Sequence, residues 1–443
     1  MSVKATARKR DSNIKIVLGE QYLRPGGKRE HGGLSRLGGS TVLKGGNEKM
    51  AINHEQIHRF AKSCTKVIAL GALLLVAAAP IAHAQGGSGK YDTGPLHYLV
   101  DPDWPKPLPN NWIMGQVSGL AIDKYDNIWV YQRPRSLDTS ENGAVQQPQR
   151  SQCCVPAPSV IEFNQAGEVV NAWGGPDYIP GWPNSEHGIL VDNQGYVWIG
   201  GNGAGDRVAY KFTQDGKLVG QIGQVFSANS APPENNQDTT ILGQPAQFAI
   251  DERANELYIA DGYLNKRIVV YDRNTFQFKR GWGAYGIPLS QIDNNPTTAY
   301  DPNAPVDLQF RNPVHGVSLS KDGLVYASDR VNDRYQVFTK NGQFLQEAFI
   351  RPATLGNGSV WGTTFSDDAR QKYLLIPDGE NNVVWEILRS NGQVMGSFGH
   401  GGHQCGEFHW VHVAQFDSHG NFFEGEVDVG KRVQKFTPID LSN

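Results

Sequence analysis

One pattern recurs six times along the chain, and it limits the possible folds more than any other feature. Each copy has a short apolar strand ending in Asp or Ser, a turn of Asn, Asp or Gly, and a second apolar strand. The copies lie at 117–133, 186–202, 245–263, 314–330, 360–379 and 411–427. Apolar runs separated by such turns are typical of β-hairpins, and repeats of about 40–50 residues are typical of propeller blades. The sequence therefore predicts an all-β protein, a six-bladed β-propeller.

The segment before the first copy supplies a strand that the last copy lacks. Residues 96–109 read LHYLVDPDWPKPLP, and the chain ends soon after the apolar run of the sixth copy. We expect the N-terminal segment, 85–109, to add the fourth strand of the sixth blade and so to close the ring. Closure of this kind removes exposed strand edges. The propeller itself is then expected to span 110–443.

A secretory signal peptide is predicted over residues 50–84. A basic stretch and an apolar run of about 16 residues precede Ala82-His83-Ala84, which has the small-x-small form of a cleavage site. The run is shorter than the roughly 20 residues that span a bilayer. We therefore expect an exported protein, periplasmic or secreted, with no membrane contact after cleavage. Residues 1–49 precede the signal, so we expect them to be a non-native or disordered extension, with Met50 as the true start.

The charge of the exported part is acidic. From Gln85 onward the chain carries 27 basic and 39 acidic residues, a net charge of −12. An acidic surface repels the phosphate backbone, so this balance argues against a nucleic-acid partner. We expect instead a small-molecule or peptide substrate and a monomeric protein.

Three cysteines follow the predicted cleavage site, namely Cys153, Cys154 and Cys405. Adjacent cysteines rarely bond to each other, because the required geometry is strained. We therefore expect either member of the adjacent pair to bond Cys405, which leaves one thiol over. No CxxC motif is present, so a structural role is favoured over a redox motif or a thiolate zinc site.

Three histidines occupy equivalent positions in alternate copies. Five residues before the Asp or Ser that ends the first strand, the six copies carry Ser118, His187, Ala246, His315, Trp361 and His412. Alternate blades of a six-bladed ring are about a third of a turn apart, so the three imidazoles should meet on the central channel. Three neutral histidines with an open fourth position are a ligand set of catalytic zinc. The alternative is three separate histidines that line the channel.

The ends of the second strands should face the same place. Each second strand runs antiparallel to the first and returns to the face where the first begins. Arg133, Tyr263 and Arg330 lie at such ends in copies one, three and four. A phenol can act as a general base there, and guanidiniums can hold a carboxylate or stabilise developing negative charge. The alternatives are surface salt bridges for the arginines and packing for the tyrosine.

Two other groups of polar residues are interpreted as structural. The histidines of GHGGHQCGEFHWVH have no regular metal-ligand spacing, so we expect an ordinary loop at His400, His403 and His409. The aspartates near the second-strand ends are interpreted as repeat turn residues, namely Asp261, Asp329 and Asp378. GxSxG, HExxH and P-loop motifs do not occur in the sequence.

These residues resemble the peptidyl-α-hydroxyglycine α-amidating lyase family, which are six-bladed propellers of the NHL type. The resemblance covers roughly 110–440 and is carried by ADGYLNKRIV at 260–269, together with WPNSEHGILVD, NPVHGVSLS, ASDR and HWVHVAQFD. The family cleaves a peptide ending in α-hydroxyglycine into a peptide amide and glyoxylate. The resemblance implies zinc held by His187, His315 and His412, a catalytic Tyr263, and active-site arginines at Arg133 and Arg330.

The chain departs from the family at three places. The family holds a structural calcium with two backbone carbonyls, here those of Leu120 and Ile189, and with an Asp whose place is taken by Val413. A hard cation there would lose its only charged ligand, so we expect no calcium. Trp410 replaces a family methionine, and Leu264 replaces a family cysteine.

The resemblance therefore implies an exported, zinc-dependent carbon–nitrogen lyase that releases an amide and glyoxylate. Two alternatives remain open, since fold alone does not fix function. One is a metal-assisted lactone or ester hydrolase, for which carboxylate ligands would be expected. The other is a non-enzymatic NHL-propeller binding module, in which the loops 134–158 and 287–311 would carry binding.

Overall fold

The computed structural model describes residues 92–227, 229–295 and 297–439, all within the unit Ala79–Asn443. The predicted extension 1–49 and signal peptide 50–84 lie outside the described residues. Six four-stranded antiparallel sheets follow one another and form a six-bladed β-propeller, which confirms the predicted fold class. Within the described ranges no helix is long and apolar enough to cross a membrane.

The blades are numbered in chain order, and their strands are given from the axis outward. Blade 1 contains Gln116–Ile122, Ile128–Arg133, Val160–Phe163 and Val169–Trp173. Blade 2 contains Glu186–Val191, Tyr196–Gly201, Asp206–Thr213 and Leu218–Val225. Blade 3 contains Pro245–Asp251, Glu256–Asp261, Arg267–Asp272 and Phe278–Trp282. Blade 4 contains Val314–Leu319, Leu324–Asp329, Arg334–Thr339 and Phe344–Phe349.

Blade 5 contains Thr364–Phe365, Tyr373–Asp378, Val383–Leu388 and Gln393–Phe398. Blade 6 contains Val411–Phe416, Phe422–Glu426, Val433–Pro438 and, as its outermost strand, Tyr98–Val100. A parallel pair joins Trp112–Ile113 to Val155–Pro156. The 3-10 helices of the described residues are Pro109–Asn111, Pro134–Ser136, Gly143–Val145, Ala284–Gly286, Leu289–Gln291 and Arg330–Asn332.

The two ends of the described chain meet in blade 6. Tyr98–Val100 pairs antiparallel with Val433–Pro438, with Tyr98 opposite Pro438 and Val100 opposite Phe436. A terminal strand paired in a sheet is held in place by its ladder hydrogen bonds. The sheet of the last repeat therefore draws its outermost strand from the N-terminal segment.

The aspartate that ends an innermost strand shapes the turn behind it. The Asp123 carboxylate accepts hydrogen bonds from the backbone N–H of Tyr125 and Asn127, at 2.8 and 3.0 Å. Its other oxygen accepts from the indole of Trp129, at 3.2 Å. Asp192 and Trp198 make the same indole contact in blade 2, also at 3.2 Å. The repeat therefore fixes each hairpin locally, because an Asp side chain readily bonds the backbone two residues on.

The apolar core is divided into six layers, one between each pair of neighbouring blades. Blade 6 packs on blade 1 through Val413 and Phe423, which lie against Val117 and Leu120. Full burial of one such side chain contributes roughly 1.5–3 kcal/mol. The six layers hold the innermost strands around one axis, and this sets the positions of the residues at their starts.

Blade 5 departs from the regular pattern, because its innermost strand is only Thr364–Phe365. Thr364 lies opposite Leu375, so Gly362 would lie opposite Pro377 if the ladder continued. Proline has no N–H to donate, so it cannot complete a pair of ladder hydrogen bonds. Its carbonyl still accepts from the Trp361 N–H at 3.2 Å, so the start of this copy stays bonded to the second strand.

The prediction for the cysteines is wrong. Cys153 and Cys154 are joined to each other by a disulfide, and Cys405 is a free, exposed thiol. The peptide between the adjacent cysteines is cis, which brings their Cα atoms to 3.0 Å and lets the two sulfurs meet.

The second-strand aspartates are structural, as expected, although two of them are more than turn residues. Asp261 pairs with Arg267, and Asp329 with Arg334, both at 2.8 Å and fully buried. Asp378 accepts a hydrogen bond from the indole of Trp385, at 2.8 Å. Buried charges must be paired, so these carboxylates are committed to holding adjacent strands and loops.

Candidate functional site

Three histidines from alternate blades meet on the axis. His187, His315 and His412 lie at or near the start of the innermost strands of blades 2, 4 and 6. Their candidate ligand atoms all lie within 4.8 Å of one another, and the side chains are at most 4% exposed. Ring centroids are 4.8 to 5.1 Å apart. The structure thus brings together the three imidazoles that the repeat alignment places in one column.

Backbone carbonyls from the intervening blades orient two of these rings. His187 Nδ1 donates to the Ala246 carbonyl at 2.7 Å, and His315 Nδ1 donates to the Trp361 carbonyl. A carbonyl only accepts, so the proton lies on Nδ1 and the lone pair lies on Nε2. Metal-ligating histidines are commonly fixed in this way. Ala246 and Trp361 are the residues of the same repeat column in blades 3 and 5, which gives those copies a role without histidine.

The donor set of this cluster fits a metal ion. Burial lowers the pKa of all three imidazoles well below the ordinary value, so the rings are neutral. His315 Nε2 and His412 Nδ1 are buried and have no hydrogen-bond partner. Buried polar atoms are seldom left unpaired, and a cation would satisfy them. Three neutral imidazoles are a ligand set typical of zinc.

Tyr263 lies against this cluster. It follows the second strand of blade 3, and its hydroxyl is 2.9 Å from His187 Nε2. Its ring centroid is 5.0 Å from that of His187 and 5.8 Å from that of His315. Because His187 Nε2 carries the lone pair, the phenol donates this hydrogen bond. The phenolic oxygen is therefore within one hydrogen bond of the candidate metal ligands.

Arg133 reaches the same face from blade 1 and is held entirely by neutral groups. Its Nε donates to the Glu186 carbonyl and its Nη1 to the Gln116 side chain, both at 2.8 Å. Its Nη2 donates to the Asn202 side chain at 3.3 Å. Burial lowers the pKa of this guanidinium from its ordinary value. These neutral acceptors hold the guanidinium in one orientation, and they do not neutralise its charge.

Arg330, from blade 4, is 7% exposed and lies flat against aromatic rings. Its guanidinium is 4.5 Å from the Trp361 ring centroid and 5.9 Å from that of Tyr263. Nη2 donates to Asn357 at 3.4 Å, whereas Nε is buried without a hydrogen-bond partner. Among the described residues neither Arg330 nor Arg133 has a carboxylate within 4.0 Å, so the interpretation as surface salt bridges is wrong.

The side chains that hold the arginines were not found from the sequence. Gln116 begins the first strand of blade 1, Asn202 directly follows the second strand of blade 2, and Asn357 lies in the loop before the first strand of blade 5. Asn357 is in turn fixed by Glu380, which accepts from its backbone N–H at 3.0 Å. A repeat alignment does not single them out, because the equivalent positions carry other residue types in most copies. The sequence signal that could have found these three side chains is their position near the predicted ends of the second strands.

A narrow cavity of about 20 Å³ lies in the channel beside the histidines. Its walls include Leu120, Ile189 and Val413, and its lining contains no carboxylate. Calcium takes mainly oxygen ligands, usually with carboxylates among them. The residues present do not fit a calcium ion here, in line with the expectation from Val413.

The remaining histidines of the sixth copy form no second ligand cluster. His403 and His409 stack with ring centroids 4.8 Å apart, and His409 Nε2 is 3.0 Å from Asp428. Within the described part of the chain, the axial histidines are the one group of three or more metal-ligating side chains close enough to share an ion. The expectation of an ordinary loop in this stretch agrees with this geometry.

No protein-family model matches the chain. It is 25% identical over 275 residues to a protein named probable peptidyl-alpha-hydroxyglycine alpha-amidating lyase from Caenorhabditis elegans, covering 61% of this chain and 69% of that one. It is 26% identical over 316 residues to peptidyl-glycine alpha-amidating monooxygenase B of Xenopus laevis, covering 68% of this chain and 32% of that protein.

A third relative has a different kind of name. The chain is 24% identical over 371 residues to NHL repeat-containing protein 3 of Homo sapiens, covering 79% of this chain and 86% of that one. It therefore matches this relative over most of both lengths, whereas it spans about a third of the amidating monooxygenase. The resemblance found in the sequence is confirmed: this six-bladed propeller has relatives, at about 25% identity, that are named as peptidyl-α-hydroxyglycine α-amidating lyases and as NHL repeat proteins.

Proposed function

We propose that this protein is an exported, zinc-dependent lyase that cleaves N-acyl-α-hydroxyglycine into an amide and glyoxylate. The hydroxyl loses its proton, its oxygen forms the new carbonyl, and the C–N bond breaks. The electron pair of that bond goes to nitrogen, which takes a proton. The substrate is a peptide or smaller amide, and the protein acts as a monomer.

One observation carries the proposal. A phenol lies 2.9 Å from a ligand nitrogen of a three-histidine cluster, beside two guanidiniums that have no carboxylate partner in the described chain. Neutral imidazoles and uncompensated cations make this face positive, although the exported part as a whole is acidic. The site suits a small anion that carries a group able to lose a proton.

The arginines provide the carboxylate site. The neutral partners of Arg133 fix its position without cancelling its charge, so the charge remains available to a bound anion. Arg330 likewise has aromatic and amide neighbours and no carboxylate partner among the described residues, so its charge is also uncompensated. Holding the carboxylate sets the hydroxyl-bearing carbon near the histidines. The same charges stabilise the negative charge that develops as the C–N bond breaks.

Tyr263 is the proposed proton carrier. His187, His315 and His412 would hold the zinc, which as a bound Lewis acid would polarise the substrate oxygen. Once it has given up its own proton, the Tyr263 oxygen accepts the hydroxyl proton, and the resulting phenol can deliver a proton to the departing nitrogen. Its position one hydrogen bond from His187 places it within reach of a substrate that lies at the cluster.

Glyoxylate release from N-benzoyl-α-hydroxyglycine tests the proposal. We expect the zinc-loaded protein to release it, and we expect Tyr263→Phe and His315→Ala each to lower kcat/KM by at least about 100-fold. Tyr125→Phe and His419→Ala are matched controls, because both side chains are exposed. Retained release in both site variants would refute the assigned roles.

The match to NHL repeat-containing protein 3 over most of both chains favours a second candidate. This is a non-enzymatic binding module in which the histidines line the channel. It would have no bound metal, stability insensitive to chelators, and no glyoxylate release. A lactone or ester hydrolase has no comparable support, because the cluster offers imidazoles only.

A further inference from the structure

Two tryptophans form a wall beside the histidine cluster, and the roles proposed above do not use them. The Trp361 ring centroid is 5.7 Å from that of His315 and 5.6 Å from that of His412. The Trp410 ring meets Trp361 edge-on at 5.3 Å. Trp361 is 3% exposed, whereas Trp410 is only half-buried. Trp361 is therefore the buried part of this wall, and Trp410 is the part that solvent reaches.

Trp361 is immobilised on several sides. Its indole donates to the Gly358 carbonyl at 2.7 Å, and the Arg330 guanidinium covers the ring at 4.5 Å. A Cβ added at Gly379 would lie 2.9 Å from the ring, closer than side chains approach one another. The glycine thus leaves the space that the indole fills. A ring held in this way is a rigid surface on which a second aromatic group can pack.

Trp410 is held in an uncommon backbone conformation. Its φ is +52°, in the left-handed region, which bulky residues rarely adopt. Its N–H donates to the Asn382 side chain at 2.7 Å, and its carbonyl accepts from the Val427 N–H at 3.2 Å. Such strain persists only where the surroundings enforce it, and it concentrates at functional sites.

The fold fixes the face on which Trp410 lies. It immediately precedes the innermost strand Val411–Phe416, so it lies where innermost strands begin. Arg133 and Tyr263 lie at or just after second-strand ends, which return to this same face. The half-buried indole therefore lies on the same face as Arg133 and Tyr263, against the Trp361 ring that contacts His315 and His412.

We propose that Trp410, backed by Trp361, is a subsite for an aromatic or planar apolar group on the acyl side of the substrate. This rests on the proposed function, in which the arginines take the carboxylate and leave the acyl part of the substrate to the remaining wall. The chemistry follows from the surface, because a half-buried indole supported by a second ring pairs well with another π-system. The preferred substrate is then an N-aroyl-α-hydroxyglycine, or a peptide with an aromatic residue before the hydroxyglycine.

The test compares benzoyl with acetyl compounds on the zinc-loaded full chain, in binding and in turnover. We expect N-benzoylglycine, which lacks the reacting hydroxyl, to bind about tenfold tighter than N-acetylglycine by calorimetry. Trp410→Ala should abolish this ratio, Trp410→Phe should keep most of it, and the exposed control Tyr125→Ala should leave it unchanged. The kcat/KM values of the two α-hydroxy compounds should follow the same order.

The outcomes separate the subsite from the reaction. A benzoyl preference in binding that disappears in Trp410→Ala, with no glyoxylate from either hydroxy compound, would support the subsite and refute the lyase. Glyoxylate release with equal constants for benzoyl and acetyl compounds would support the lyase and refute the subsite. If the alanine variant does not fold, equal binding of the two ligands by the wild type still overturns the proposal.

Discussion

Glu386 lies in the third strand of blade 5, has no exposed surface, and is an unfavourable place for a negative charge. One carboxylate oxygen accepts from the Leu96 N–H at 2.9 Å, and the other is buried without a hydrogen-bond partner. Burial raises the pKa of this carboxyl from 4.5 to about 8. The folded protein therefore holds a proton here that the unfolded chain has already released.

Replacing Glu386 by Gln should stabilise the protein at alkaline pH. The pKa of Glu386 is higher in the folded protein than in the unfolded chain. The free energy of unfolding therefore falls as pH rises from 4.5 to about 8, and the full loss is reached above that pH. Three and a half pKa units correspond to about 5 kcal/mol at roughly 1.4 kcal/mol each. The neutral amide also forgoes a charge-assisted bond from Leu96, so we expect a net gain on the order of 3 kcal/mol at pH 9. At pH 5 the gain should be below about 1 kcal/mol.

Urea unfolding of wild type and Glu386→Gln at pH 5, 7 and 9 measures this gain. The exposed Glu168, changed to Gln, is the matched control and should shift the free energy of unfolding by no more than about 0.5 kcal/mol at any pH. A difference between wild type and Glu386→Gln that does not change with pH would refute the reasoning. It would mean that the folded and unfolded chains release this proton at the same pH.

Two further predictions concern the axial site. His187→Ala should lose bound zinc, measured as metal per chain after zinc loading, whereas exposed His419→Ala should retain about one equivalent; equal zinc in both would count against the shared site. Gly379→Ala should destabilise the protein by about 1–3 kcal/mol in urea unfolding, because the added methyl group would meet the Trp361 ring at 2.9 Å. Unchanged stability in that variant would show that the indole has room to move.

The sequence was sufficient for the fold because the information that sets each hairpin is local. Asp123 and Asp192 each bind the turn behind them and an indole on the next strand, so the same residues recur wherever the same hairpin forms. Blade 5 is the exception that a repeat alignment cannot detect. Its regular pairing is limited to Thr364–Phe365, because Pro377 on the neighbouring strand has no N–H to donate, although the Pro377 carbonyl still accepts from the Trp361 N–H.

The same reasoning explains which parts of the site could be predicted. A ring converts equivalent sequence positions into equivalent distances from the axis, so a column of histidines becomes a cluster. Gln116, Asn202 and Asn357 orient the arginines from a strand start, a strand end and a loop, and they belong to three different columns of the repeat, so no single column identifies them. The bond between adjacent cysteines depends on the isomer of a single peptide, which the spacing of residues does not encode.

The even-numbered and odd-numbered blades contribute different groups to the site. Blades 2, 4 and 6 supply imidazoles, whereas blades 3 and 5 supply, from the same column, the carbonyls of Ala246 and Trp361 that orient the rings of the preceding blades. A carbonyl needs no particular side chain, so the odd copies are free to vary there. Blade 3 carries the small Ala246 at this position, and blade 5 carries Trp361, the indole against which Arg330 packs. Ring symmetry thus fixes the positions of the three histidines, and its local breaking places different charged and aromatic groups around them.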